Sequence, residues 1–86
     1  MHLRFTSSAT RHGISHERIA YVLEHAPLPT YETGRRGDLV SLYLGVDRNG
    51  VPIEVIGIEL SHDVLLVIHA MRLRRSLYAA FREAMR

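Results

Sequence analysis

The chain has 86 residues and a mass of 9.8 kDa, which leaves room for one small domain over residues 1–86 and excludes a multidomain enzyme. Hydrophobic residues make up 47% and charged residues 23%, the balance of a soluble globular chain, and the absence of cysteine excludes a disulfide framework, a thiolate metal site and a cysteine nucleophile. All eleven basic residues are arginine and they are unevenly placed: residues 1–68 carry six against eight acidic groups, whereas residues 69–86 carry five against Glu83 alone.

Leu3-Arg4-Phe5 is expected to form a short first strand, and residues 6–11 a short helix that ends at His12-Gly13, with Gly13 suited to a left-handed stop. Ser15 is a good N-cap for a second helix. Glu17 lies in that helix's first turn, where the helix dipole favours an anion. Ile19, Val22, Leu23 and Ala26 give the spacing of an amphipathic helix, which Pro27 and Pro29 end. Residues 30–37 read as a loop or an irregular edge strand with Gly34-Arg35-Arg36-Gly37 at its tip.

Three strand signals follow. Residues 39–46 form one, Asp47-Arg48-Asn49-Gly50 a hairpin turn, and residues 51–60 the second. Ser61-His62-Asp63 turns the chain into the third, residues 64–70, whose run Val64-Leu65-Leu66-Val67-Ile68 has no polar position and so predicts cover on both faces. Residues 73–85 contain no Gly or Pro. They predict one amphipathic helix, with Leu73, Leu77, Ala80, Phe81 and Ala84 toward the sheet and Arg75, Tyr78, Arg82 and Arg86 on the other side. The expected class is α+β: a small antiparallel sheet of three to four strands in a meander, two N-terminal helices and a C-terminal amphipathic helix.

The strongest candidate for chemistry is the joint between the third strand signal and the last helix, His69-Ala70-Met71-Arg72-Leu73-Arg74-Arg75, with Tyr78 one turn on. Arginine grips phosphate through a bidentate fork and neutralises the charge that develops on a phosphorane. His69 or Tyr78 could move a proton to or from a ribose 2′-hydroxyl or a leaving 5′-oxygen, a reaction that needs no metal or other cofactor. The bland alternative is a hydrogen-bonded core histidine beside a solvated arginine face. Arg11 and His12 form a second candidate at the rim of such a site, although a helix stop and a cap explain most of that segment. Glu54, between Ile53 and Val55 in an apolar strand, faces either solvent, the default on a half-covered sheet, or the arginine cluster. His12 and His16 are four apart, but Gly13 and the Ser15 cap break any shared helix, so no metal site is expected.

The segments His12-Gly13-Ile14-Ser15, Val67-Ile68-His69-Ala70-Met71-Arg72, and Arg74-Arg75 with Tyr78, in that order, resemble the BrnT toxins of bacterial type II toxin–antitoxin systems. They are also similar to a group of small actinobacterial toxin-like proteins. The resemblance implies a RelE-like microbial ribonuclease architecture, metal-independent cleavage of messenger RNA, free or on the ribosome, and neutralisation by a cognate antitoxin protein. By position it makes Arg72, Arg74, Arg75 and Tyr78 the RNA-handling and catalytic set; joined with the reading of the residues themselves, the expected catalytic residues are His69, Arg72, Arg75 and Tyr78, with Arg11, His12, Glu54, Arg74 and Arg82 binding substrate. Two positions depart from the BrnT pattern: His69 stands where those toxins have Ser, and Met71 where they have Arg. The alternatives are a non-catalytic module of the same fold whose arginine face docks an antitoxin or nucleic acid, and an interaction protein that completes its core as a homodimer. No apolar run reaches the roughly 18–20 residues of a membrane span, and Met1-His2-Leu3-Arg4 opens no signal-peptide core, so the expected compartment is the cytoplasm, with no membrane partner.

Overall fold

The computed structural model describes residues 1–34, 36–61 and 63–86. Arg35, at the expected loop tip, and His62, in the expected turn, lie outside the described residues. The elements run β1 (His2–Phe5), a 3-10 turn (Ser7–Thr10), α1 (His16–His25), β2 (Thr30–Thr33), β3 (Leu39–Val46), β4 (Pro52–Ser61), β5 (Val64–Arg72), a second 3-10 turn (Arg75–Leu77) and α2 (Tyr78–Ala84). The five strands form one sheet in the order β1-β5-β4-β3-β2. Among the described residues no helix is long and apolar enough to cross a membrane.

The expected sheet of three to four antiparallel strands is corrected by two additions. Residues 30–33 do pair, as the antiparallel edge strand β2 against β3, and β1 joins the other edge parallel to β5, so the sheet is mixed. Leu3 and Phe5 alternate with His2 and Arg4, so one face of β1 packs against the core on the α1 side. The amino terminus lies 3.4 Å from the Asp63 carboxylate, and the His2 amide donates to the Asp63 carbonyl, which fixes the register of β1. The expected pair of N-terminal helices is also corrected. Residues 7–10 make only a 3-10 turn, leaving α1 as the single N-terminal α-helix. The RelE-like arrangement expected with these features falls with them.

Helix α1 forms where its spacing places it. The Ser15 hydroxyl accepts from the Arg18 amide, and Ile19, Val22 and Leu23 are buried against Tyr43, Ile53, Val55, Leu65, Val67 and Ala70. Each fully buried aliphatic chain of this cluster stabilises the fold by about 1.5–3 kcal/mol. Asp47 ties the helix to the β3–β4 hairpin: its carboxylate accepts from the amides of Asn49 and Val51, both at 2.9 Å, and from Arg18 Nε and Nη2 at 3.1 and 2.9 Å. The Val51 amide above all, with further help from Arg18 and Asn49, outweighs the upward push of burial and holds the Asp47 carboxyl below its ordinary range.

A smaller cluster on the opposite face joins Leu42, Leu44 and Leu73 with Ile56, Leu77 and Phe81. The single long helix expected over residues 73–85 is corrected to a 3-10 turn and a seven-residue α2. Its start is delayed because the Leu73 amide donates to the Pro52 carbonyl and the Arg74 amide to Glu54, which keeps Arg74 extended with ψ 148°. The expectation that β5 is covered on both faces also fails: Leu65 and Val67 are buried, whereas Val64, Leu66 and Ile68 are only partly so.

A bulge interrupts the β4–β5 ladder. Ile56 pairs with His69 and Gly57 with Val67, so Ile68 has no partner on β4. Gly57 allows the close approach beside it, since a Cβ there would lie 2.7 Å from Leu65 Cδ1. Gly57→Ala is expected to force the fully buried Leu65 from its place and cost about 1–3 kcal/mol, read as a lower urea midpoint with an unchanged slope.

Candidate functional site

The site centres on Glu54, whose side chain is 0% exposed near the start of β4. A carboxylate in that position must be matched by donors, and it has four. Arg74 contributes its backbone amide to Oε1 at 3.0 Å, Nε to both oxygens at 3.0 and 2.9 Å, and Nη2 to Oε2 at 2.8 Å. His69 Nε2 donates to Oε2 at 3.1 Å. Burial alone would push the Glu54 carboxyl up; the side-chain and backbone bonds of Arg74, the bond from His69 and the Arg74 charge together hold it below the ordinary carboxylate range. The same pairing raises the guanidinium of Arg74 above its ordinary value. Of the two fates open to Glu54 in the sequence, the arginine cluster is the one realised.

Because Glu54 is ionised it only accepts, so its bond to His69 assigns the imidazole proton to Nε2 and leaves Nδ1 free. His69 reaches Glu54 through the bulge. Without it, residue 69 would share the α1 face with Val67; with Ile68 unpaired, His69 falls on the face of Ile56 and Glu54. On the other side of His69 stands His12, their ring centroids 5.4 Å apart and the planes at 68°. His12 is carried there by the turn after β1 and by Gly13, whose φ of 82° stops the segment as expected. His16 takes no part. Its ring stacks on Phe5 with centroids 3.8 Å apart, so the His12 and His16 spacing brings no shared ligand site.

Of the nine residues singled out in the sequence, the structure therefore joins four: Glu54, His69, Arg74 and His12. Arg11, exposed, is the immediate neighbour of His12. Arg72 does not face His69. It pairs with Ile53, whose side chain is in the α1-side core, so the strand alternation turns Arg72 to the other face of the sheet. Arg75 is exposed in the second 3-10 turn, Tyr78 is 46% exposed at the start of α2, and Arg82 is exposed further along that helix. Among the described residues none of Arg11, Arg72, Arg75 and Arg82 forms an ion pair. Among the described residues, no three His, Asp or Glu side chains are grouped closely enough to hold a metal ion.

Sequence reasoning passed over Ser8 and Thr6, which touch β5 at the bulge. The Ser8 hydroxyl donates to the Ile68 carbonyl at 2.9 Å, and the hydroxyls of Thr6 and Ser8 are 2.8 Å apart. Their local signal is that of a turn entry, and nothing in it announces a bond to a residue sixty positions away. In comparisons with protein-family models, curated proteins and solved structures, the chain matches none.

Proposed function

We propose that the chain is a metal-independent endoribonuclease, acting in the cytoplasm as the toxin of a bacterial toxin–antitoxin pair and restrained by a cognate antitoxin. The observation that carries the catalytic reading is the Glu54–His69–His12 arrangement: a buried carboxylate fixing one imidazole in a single tautomer, with a second imidazole beside it. The toxin role rests on the BrnT-like order of the segments around His12, His69 and Arg74-Arg75.

In this reading His69 Nδ1 takes the proton of a ribose 2′-hydroxyl, and the 2′-oxygen attacks the adjacent phosphorus. The bond from phosphorus to the 5′-oxygen breaks as protonated His12 gives its proton to that leaving oxygen. The products are a 2′,3′-cyclic phosphate and a 5′-hydroxyl. Glu54 stabilises the imidazolium that forms on His69, as a carboxylate behind a histidine does elsewhere. Arg11 and Arg75, free of ion pairs among the described residues, are the available clamps for the phosphate oxygens.

The test is cleavage of a single-stranded RNA by purified protein in excess EDTA, with the ends identified by mass spectrometry. Fragments ending in 2′,3′-cyclic phosphate and 5′-hydroxyl are expected; intact RNA at high protein excess would overturn the proposal. A second reading, a non-catalytic module that docks an antitoxin or nucleic acid, is favoured by one observation: Arg72 is exposed on the other face of the sheet from His69. Salt-sensitive binding without cleavage would select it.

A further inference from the structure

Resting on the proton-transfer pair of that proposed ribonuclease, we propose that Ser8 is a positioning residue that sets His12 against His69. The two histidines come from segments that share no ladder. Strand β1 pairs with β5 only as far as Phe5 and Val67, and the Thr6 amide adds one more bond to the Val67 carbonyl at 3.0 Å. Beyond that point the chain leaves the sheet, and side-chain hydroxyls take over from the backbone. Ser8 gives its one proton to the Ile68 carbonyl, so in its 2.8 Å contact with Thr6 it accepts, and Thr6 is the donor. The Thr6 hydroxyl also lies 3.4 Å from the Val67 carbonyl. The chain Thr6 to Ser8 to Ile68 thus ends on the residue left unpaired by the bulge.

One hydroxyl thereby acts on both imidazoles. It holds the Ile68 carbonyl, whose displacement from the β4 ladder turns His69 toward Glu54. It also anchors the 3-10 turn from whose end His12 projects, through the Arg11 amide to the Ser8 carbonyl at 3.2 Å and the Gly13 amide to the Thr10 carbonyl at 3.0 Å. The far end of the same segment is pinned by the stack of His16 on Phe5 and by buried Ile14. With both ends fixed, the Ser8–Ile68 bond is the one side-chain hydrogen bond, among the described residues, from the 3-10 turn to the bulge, beside the packing of buried Ala9 in the core with Val67 and Ala70. A misplacement of about 1 Å at reacting groups can cost on the order of a hundredfold in rate.

The experiment compares wild type, Ser8→Ala and Ser8→Thr. Cleavage of RNA is followed as kcat and KM, and the imidazole protons of His12 and His69 are followed by nuclear Overhauser contacts between the rings. Ser8→Ala is expected to lower kcat about ten- to a hundredfold, leave KM within about twofold, and lose the contact between the rings. Ser8→Thr, which keeps the hydroxyl, restores both. A Ser8→Ala protein that keeps the ring contact and the wild-type kcat overturns the positioning role. If the wild type itself cleaves no RNA, the ribonuclease reading fails, and the ring contact still decides the positioning: its loss in Ser8→Ala upholds it and its retention overturns it. Should Ser8→Ala not fold, Thr6→Val, which removes the donor behind Ser8, is read by the same two measurements.

Discussion

His69→Ala is expected to lower the proposed RNA cleavage by about 10²–10⁴-fold while the domain stays folded. The size follows from the role: a positioned base removes the proton of the 2′-hydroxyl as the bond to phosphorus forms, and water replaces it poorly. Folding should survive because the His69 side chain is 25% exposed and gives Glu54 only one of its donors; the Arg74 amide and guanidinium remain. His12→Ala is expected to fall in the same range, and the double variant little further, because an acid and a base serving one step do not act additively. Arg72→Ala, by contrast, should leave kcat within a few-fold, since that side chain stands on the other face of the sheet from His69. The decisive measurement is single-turnover cleavage by wild type and the four variants, each checked for its urea midpoint. A folded His69→Ala protein that cleaves within twofold of wild type removes the imidazole pair from the mechanism. An Arg72→Ala protein that loses activity by 10²-fold or more returns the site to the arginines of the joint between β5 and α2.

The contrast between Arg72 and His69 also marks where the sequence stops being legible. Local rules suffice for α1 and the β3–β4 hairpin, because the Ser15 cap, the Ile19, Val22 and Leu23 stripe and the Asp47 turn are each written within a few residues of their partners. Strand β3 occupies residues 39–46 as its pattern predicts. The parallel pairing of β1 with β5 is invisible in this way, since its partners are about sixty residues apart and the short β1 carries no signal of direction. The bulge at Ile68 is the costliest omission. A strand read with unbroken alternation puts His69 on the α1 face with Val67 and Arg72 on the opposite one, and one unpaired residue exchanges the two. The C-terminal helix fails for a related reason. Nothing in residues 73–85 forbids helix from the start, but Arg74 is held extended by a carboxylate twenty positions upstream. Glu54 itself was open to recognition, because a lone carboxylate in an apolar strand demands either water or a cation, and five arginines follow it at 69–86.

The same carboxylate predicts how the fold meets acid. Glu54 carries an ordinary value of 4.5, and in the folded protein it is held lower. A carboxyl with a depressed folded pKa contributes stability that is fully present above its unfolded pKa and is lost as the pH falls through the folded one. Asp47, with an ordinary value of 3.8, is shifted in the same direction, so its loss joins that of Glu54 below about pH 3.8. Arg74→Ala should remove the larger share of the Glu54 contribution. Breaking a buried pair from one side costs about 3–5 kcal/mol, and the lower end applies here: the Arg74 side chain is 50% exposed, so water reaches the vacated side, while the backbone amide and His69 still donate. Burial, the largest single influence on Glu54, then loses its chief counterweight, and the downward shift of the carboxyl shrinks. Urea midpoints measured from about pH 3 to 7 should therefore show Arg74→Ala less stable than wild type at neutral pH, with the gap narrowing as Glu54 is protonated. Replacing both partners, Glu54→Met with Arg74→Met, should recover most of the neutral-pH loss, because the buried charge goes with its partner, and should abolish the Glu54 part of the acid dependence. An Arg74→Ala protein with the wild-type midpoint at pH 7 would mean that the backbone amide, His69 and water satisfy Glu54 without the guanidinium, and that the ion pair adds nothing measurable to the fold.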